Sequence, residues 1–394
     1  MRVALYTETF LPHVDGMVTR LTQTVTWLRR LGDDVLVIAP SLDGLPREYA
    51  GAKVLGAPSM IVPMYRDLKF GFPALFPQIR AALDDFAPDV VHVANPFLTS
   101  VAGVQYARRY GVPLVASFHT QVAEYVLRYH LGFLRRPLWR HVVALHNQAD
   151  LNLCTSHPMQ AELHGRGVNE VSLWAPGVDA DRFNPRNRSD EWRARLTGGR
   201  PDSVILLYVG RLATEKTLER LRPLISRLPS AHLAFVGGGP EAEALRKLFH
   251  GTPATFVGPL SGHELTAAYA SADIFMLPSS TETLGLSAIE AMASGLPVIG
   301  ASRGGIPDIV IDGETGALFD PDQPENLITS TETLVADSAL RRKMGAAALA
   351  RARGWSWEAS TQGLRAYYRQ AIARATRRPG DASEPDLDTE PSAV

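Results

Sequence analysis

Residues 279–297 read Ser-Ser-Thr-Glu-Thr-Leu-Gly-Leu-Ser-Ala-Ile-Glu-Ala-Met-Ala-Ser-Gly-Leu-Pro, directly after the apolar run Ala272-Asp273-Ile274-Phe275-Met276-Leu277-Pro278. A short apolar run closed by proline reads as a buried parallel strand. From Leu286 the apolar residues Leu286, Ile289, Met292 and Ala293 recur at helical spacing, and Gly295 and Pro297 end the helix. The unit is therefore strand, loop, helix start, and in open α/β sheets such loops carry ligands. Free amides around Gly285 and Leu286, with the helix dipole, suit an anion, and Gly285 lets backbone approach it. Glu282 and Glu290 lie eight residues apart, slightly over two helical turns, so both can reach one cleft. Carboxylates repel phosphate and should meet hydroxyls instead. Phosphates in the middle with a polyol at each end describe a nucleotide sugar. An ordinary βα unit with two surface glutamates is the competing reading.

Glu282 and Glu290 also match the E-x7-E signature of retaining glycosyltransferases with two facing Rossmann-like domains, and the chain over roughly residues 1–375 resembles glycosyltransferase family 4. The resemblance implies an α/β fold of two doubly wound domains, the GT-B architecture. Residues 1–183 would face the acceptor, residues 184–375 would bind the nucleotide sugar, and the last helix would cross back. A tail, 376–394, rich in proline and acids, is expected to be disordered.

Composition sets the outer bounds. The chain has 394 residues, is 45% hydrophobic and carries a net charge of −1, so two globular domains are expected and nucleic acid is not. One cysteine, Cys154, excludes a disulfide framework and fits a reducing compartment. Met1-Arg2 leads straight into a strand at 3–7, without the length or cleavage site of a signal peptide, and no apolar run approaches a membrane span. The expected place is the cytoplasm, with any membrane contact peripheral, at the inner face.

The first βαβ unit places Glu8-Thr9-Phe10-Leu11-Pro12-His13-Val14-Asp15-Gly16 before a helix at 18–31. Gly16 at a helix start is a phosphate site or a structural turn. The string F-L-P-x-V-x-G looks like the branch of the family that glycosylates lipids, and many members of the family carry a glycine pair here that approaches the donor phosphate. Here only Gly16 matches, and Asp15 is unexplained unless it faces the acceptor. Residues 41–82 read as irregular. A strand at 88–93 carries His92, read as a core histidine. A strand at 114–118 ends at His119-Thr120, and the resemblance makes the His119 imidazole a contact of the donor sugar.

The stretch 125–146 mixes Arg128, Arg135, Arg136 and Arg140 with Phe133, Leu134, Leu138 and Trp139. It reads either as an anionic-membrane surface or as a helix with a solvated basic face. Residues 184–201 are polar, hold Gly198-Gly199, and read as the linker. After a strand at 204–209, Gly210-Arg211-Leu212-Ala213-Thr214-Glu215-Lys216 puts two cations in one βα loop. Arginine forks onto phosphate and lysine supplies a point charge. The string G-R-x-x-x-E-K resembles the family's diphosphate clamp. Leu260 resembles a backbone contact of the base, and Thr283, Leu284, Gly285 and Leu286 would line the donor.

The resemblance thus implies a retaining, metal-independent transferase with no cofactor. It would move a hexose from a UDP- or GDP-sugar to a hydroxyl, on strings most similar to sulfoquinovosyl and glycosyl diacylglycerol synthases. His119, Glu282, Arg211 and Lys216 would be catalytic, with Gly16 and Glu290 binding the donor. A soluble, polysaccharide or phosphoinositol acceptor is an alternative, as is an epimerase, which would need an acid/base pair that is not found. A nicotinamide dehydrogenase would need G-x-G-x-x-G where only Gly16 stands. Neither base, sugar, acceptor nor oligomeric state is legible in the sequence.

Overall fold

The computed structural model describes residues 1–13, 15–62, 65–71, 77–95, 98–120 and 132–376. Ten of its strands lie in the first half: β1 (Arg2–Thr7), β2 (Asp34–Pro40), β3 (Glu48–Tyr49), β4 (Ala52–Ala57), β5 (Ser59–Val62), β6 (Tyr65–Gly71), β7 (Val90–Ala94), β8 (Leu114–Ser117), β9 (Leu151–Cys154) and β10 (Val171–Leu173). Eight of them form one sheet in the order β10-β9-β8-β7-β1-β2-β4-β3, parallel except for β3. β5 and β6 pair as a separate antiparallel ribbon. The second half adds β11 (Val204–Val209), β12 (Ala231–Val236), β13 (Ala254–Gly258), β14 (Ile274–Leu277), β15 (Val298–Ala301) and β16 (Gly316–Phe319). They form a wholly parallel sheet, β13-β12-β11-β14-β15-β16. The expected architecture, two facing parallel α/β domains, is what is found.

Both sheets are covered on both faces, which is why their strands read as unbroken apolar runs. In β1, Val3 and Leu5 belong to the cluster that includes Leu21, Val25 and Leu28 of the first helix (Gly16–Arg30). Ala4 and Tyr6 point the other way, into the cluster with Ile79, Leu83 and Val104. The alternation is the two-residue period of a strand.

The last helix (Trp357–Thr376) crosses from the second domain to the first. Leu364, Tyr368 and Ala371 are fully buried in the first sheet's cluster. Tyr367 donates through its hydroxyl to the Leu173 carbonyl at 2.9 Å, and Ser360 Oγ donates to Ala175 O at 2.7 Å. Arg365 pairs at 2.6 Å with Asp33, whose side chain is wholly buried and is also met by the chain's amino terminus at 3.0 Å.

Two expectations fail. Residues 184–201 are not a bare linker: they hold a helix, Asp190–Leu196, capped by Ser189 Oγ, which accepts from Trp192 N. Trp192 and Leu196 are buried in the second domain's core. Arg193 sits between Asp273, at 3.0 Å, and the carbonyls of Ser271, Pro201 and Ser203. The Arg193 guanidinium thus satisfies backbone carbonyls and a carboxylate rather than water. Residues 41–82 are likewise more than irregular, for they carry β3 to β6 and the start of the helix Pro77–Phe86. The expectations for Val14, Met64, residues 72–76 and 121–131 (Arg128 among them), and the tail from 377 lie outside the described residues.

Leu364→Ala should cost about 2–5 kcal/mol, the range for a fully buried leucine, read as a lowered midpoint in urea unfolding. An unchanged midpoint would mean that the crossing helix is not part of the first domain's core.

Candidate functional site

The carboxyl ends of the two sheets meet across a cleft, and the loops that the sequence singles out lie there. The loop after β14 runs from Pro278 to Gly285, and the helix Leu286–Ala293 follows. Gly285 has φ +82°, and a Cβ added there would lie 2.7 Å from Ile306 Cδ1, so both conformation and space require glycine. The amides of Leu286 and Ser287 have no carbonyl one turn back to bond to, whereas Ala288 N already meets the Gly285 carbonyl at 3.0 Å. Opposite stands the first helix: a Cβ on Gly16 would lie 3.7 Å from Leu286 Cδ1. Gly16 and Leu286, some 270 residues apart in sequence, thus form the two walls.

Loop β11–β12 docks on the same loop. Thr217 Oγ1 donates to the Pro278 carbonyl at 3.0 Å, and Ser279 Oγ donates to the Glu215 carbonyl at 3.2 Å. Lys216 Nζ lies 2.6 Å from Glu282 Oε1, both mostly buried. Arg211 pairs with Glu215, which is fully buried, while about a third of the arginine side chain stays exposed. Arg211, Lys216 and Glu282 are therefore brought together, and Glu215 joins them as the group that holds Arg211.

Behind Glu282 stands the string Gly304-Gly305. The Glu282 carbonyl accepts from Gly305 N at 2.7 Å, and a Cβ on Gly304, at φ +62°, would lie 2.2 Å from that oxygen. This close backbone contact fixes the loop. Thr283 reaches the other domain: its Oγ1 donates to the His119 carbonyl at 2.6 Å, and its carbonyl accepts from Thr155 Oγ1 at 2.7 Å. Next to it Asp308 Oδ2 accepts from His157 N at 2.5 Å.

Glu290, one face of the helix further on, accepts from Tyr269 OH at 2.9 Å. Burial pushes its carboxyl up to about 7, against the pull of Tyr269 and Arg182. Tyr269 is in turn raised well above its ordinary value by burial and by the neighbouring carboxylate. Leu284 is buried in the core, and Leu260 packs at its edge at the end of β13.

On the first domain's side, His119 follows β8 and is 7% exposed. Its ring stands edge-on to Trp174, with centroids 5.4 Å apart. Burial, then the charge of Arg20 and the rings of His92 and His146, hold the imidazole well below its ordinary range, so it is neutral. Arg20 is itself fully buried, lies 4.0 Å over the Trp174 ring and donates to the Trp174 carbonyl at 2.9 Å. Glu8 accepts from Thr99 N and Thr99 Oγ1 at 2.6 Å each and from Ser100 N at 3.1 Å, tying the end of β1 to the helix Leu98–Tyr110. Asp15 accepts from Val18 N at 2.8 Å: it caps the first helix. Arg20, Trp174 and Glu8 are the groups that sequence reading missed, for their partners are far along the chain; Glu215 stood in the G-R-x-x-x-E-K string without a role, though its partner Arg211 is four residues away.

In the basic stretch, the helix Arg135–His146 buries Trp139 against Phe118 at 5.8 Å and under Arg166 at 3.8 Å. Phe133, 75% exposed, lines a shallow depression with Arg136, Pro137 and Arg140. The exposed aromatic is thus Phe133 alone of the two. Among the described residues no helix is long and apolar enough to cross a membrane. Cys154 is buried, and burial pushes its thiol up to about 12.

Two family descriptions match the chain: "Glycosyltransferase Family 4" over residues 14–182 and "Glycosyl transferases group 1" over residues 191–351. The chain is 40% identical to sulfoquinovosyl transferase SQD2 of Arabidopsis thaliana, over 92% of this chain and 72% of that protein. It is 37% identical to a GDP-mannose-dependent alpha-mannosyltransferase of Mycolicibacterium smegmatis, over 96% of this chain and 100% of that one. Among solved structures, sucrose-phosphate synthase from Thermosynechococcus elongatus superposes with a TM-score of 0.79 at 24% identity, covering 95% of this chain and 99% of that one, and shares the fold.

A partly buried carboxyl raised from the ordinary 4.5 to about 7 binds its proton in the folded state while the unfolded chain has released it. It therefore costs nothing below about pH 4.5, and the cost grows until pH passes 7. Glu290→Gln should gain stability relative to the parent by on the order of 1–3 kcal/mol between pH 5 and pH 8. Urea unfolding at the two pH values reads this directly; a difference that does not change with pH would mean that Glu290 is ionised throughout.

Proposed function

This chain belongs to the family 4 glycosyltransferases, and from that premise we propose that it transfers a hexose, with retention, from a UDP- or GDP-sugar to the hydroxyl of a diacylglycerol-type lipid. The observation that carries the reading is the convergence of Lys216, Glu282 and Arg211 beside the helix start at Leu286, facing Gly16. Residues 1–183 form the acceptor side and 184–375 the donor side.

In this reading the diphosphate enters between Gly16 and Leu286. It takes the Lys216 ammonium, the Arg211 guanidinium and the free amides of the helix, which together carry the leaving-group charge without a metal. Glu282, relieved of Lys216, turns to the sugar hydroxyls with His119. Glu290 accepts from the ribose hydroxyls in its ionised form, oriented by Tyr269. Leu260, Thr283, Leu284 and Gly285 shape the pocket for the base and diphosphate. The acceptor oxygen attacks the anomeric carbon on the face the phosphate leaves. The carbon–oxygen bond to the diphosphate breaks, and the acceptor's proton passes to the departing phosphate. No side-chain nucleophile is needed.

The names of the relatives disagree on the sugar, sulfoquinovose in one and mannose in the other. The lipid acceptor rests on the SQD2-like strings and on the depression of Phe133, Arg136 and Arg140. An exposed ring beside arginines inserts into a bilayer interface and draws anionic lipid, each arginine contributing about 1 kcal/mol. The protein would then act peripherally, at the inner face of the membrane.

Arg211→Ala and Lys216→Ala should each lower acceptor-dependent nucleotide release roughly 10- to 100-fold, since each removes a charge-assisted contact of ~1.5–3 kcal/mol. The double variant should fall further. Wild-type turnover of the double variant at saturating donor would remove the clamp from the account.

Vesicles containing phosphatidylglycerol should sediment the protein at low salt and release it as salt rises. Arg136→Glu with Arg140→Glu should abolish this without touching donor hydrolysis. If the parent ignores vesicles and glycosylates a soluble sugar or inositol phosphate instead, the lipid half of the reading fails.

A further inference from the structure

Beneath His119 lies a buried chain of hydrogen bonds that crosses three elements. Tyr368 OH, on the last helix, is 2.7 Å from His92 Nδ1 on β7. His92 Nε2 is 2.7 Å from Ser117 Oγ on β8, and Ser117 Oγ is 2.7 Å from His119 Nε2. Every side chain except His119 is at most 1% exposed, and His119 is 7% exposed.

The direction of the protons follows from counting. The Tyr368 hydroxyl is enclosed and, among the described residues, meets one acceptor, His92 Nδ1, so its hydrogen goes there. His92 is neutral in this apolar site, since burial and the Arg20 charge hold it down at about 3. A neutral imidazole has one N–H. With Nδ1 accepting, that hydrogen is on Nε2 and is donated to Ser117 Oγ. The serine's own hydrogen is then left for His119 Nε2, which must accept. The opposite direction would strand the tyrosine hydrogen in an apolar interior, which is costly.

We propose that Tyr368, His92 and Ser117 are positioning residues that fix the His119 proton on Nδ1, so that the nitrogen not held by Ser117 offers the donor sugar an N–H and not a lone pair. The proposal rests on the sugar contact assigned to His119 above. It gives the crossing helix a second role: besides filling the first domain's core, it sets which hydrogen-bonding group the cleft presents. A hydroxyl oxygen of the hexose is then the acceptor in that contact, and a sugar lacking it is discriminated against.

The test reads tautomers directly. Long-range proton–nitrogen NMR of the histidine-labelled full chain should show His119 with a protonated Nδ1 and a bare Nε2; a protonated Nε2 overturns the proposal. Tyr368→Phe leaves His92 Nδ1 without a donor and should turn His119 into a mixture of tautomers. It should lower kcat about tenfold, the size of one hydrogen bond, with donor KM changed less than twofold. A His119 signal unchanged in that variant overturns the role of Tyr368. Ser117→Thr keeps the hydroxyl and should retain the parent's tautomer and rate, whereas Ser117→Ala should lose both; equal behaviour of the two overturns the role of Ser117. His119→Ala separates the two levels: wild-type kcat there sinks the sugar contact, while the tautomer result stands or falls by itself.

Discussion

A parallel sheet puts the carboxyl ends of all its strands on one edge, and every loop at that edge is free of the job of making a tight hairpin. Two such sheets, β10 through β3 and β13 through β16, turn those edges toward one another here. All else at the cleft depends on this. Gly16, His119, Arg211, Leu260 and Glu282 follow five different strands, yet each leaves its sheet at the same side. The last helix, anchored by Leu364 and Tyr368 in the first domain, ties the second domain to it. Thr283 and Asp308 add hydrogen bonds at the mouth of the cleft.

Electrostatics at the mouth are arranged around charges that already have partners. Lys216 pairs with Glu282 and Arg211 with Glu215. Partly buried ions without partners would be costly, so these pairs keep the empty cleft tolerable. In the proposed reaction a diphosphate replaces Glu282 beside Lys216, and the carboxylate is released toward the sugar. Glu290 obeys the opposite logic, since desolvation favours its protonated form, and in the proposed reaction the ribose hydroxyls would draw it to the ionised one. His119 and His92 are kept neutral by burial, which makes them hydrogen-bonding groups rather than charges.

Much of this is written locally in the sequence. The strands read as apolar runs because both faces are covered, and Glu282, Gly285 and Glu290 sit in one contiguous stretch, the first two in the loop and the last just over one turn into the helix. The proposed clamp, Arg211 to Lys216, is also a single loop. Where the expectation failed, the cause was tertiary. The helix Asp190–Leu196 looked like a linker because Arg193 and Asp273, which lock it, are 80 residues apart. Asp15 was unexplained beside a phosphate site because a cap and a binding residue are both polar residues before a helix; it is the cap. His92 looked like a core histidine and is buried as one, but its partner Tyr368 stands 276 residues away, which no local pattern announces.

The most direct measurement is the configuration of the new bond. Proton NMR of the anomeric centre, recorded as the purified chain consumes an α-linked nucleotide sugar in the presence of an acceptor lipid and excess EDTA, reports both stereochemistry and metal dependence. The account predicts an α-linked product formed at the same rate with and without EDTA. A β-linked product, or a reaction that EDTA stops and magnesium or manganese restores, would contradict a mechanism in which Arg211, Lys216 and the helix at Leu286 carry the leaving diphosphate.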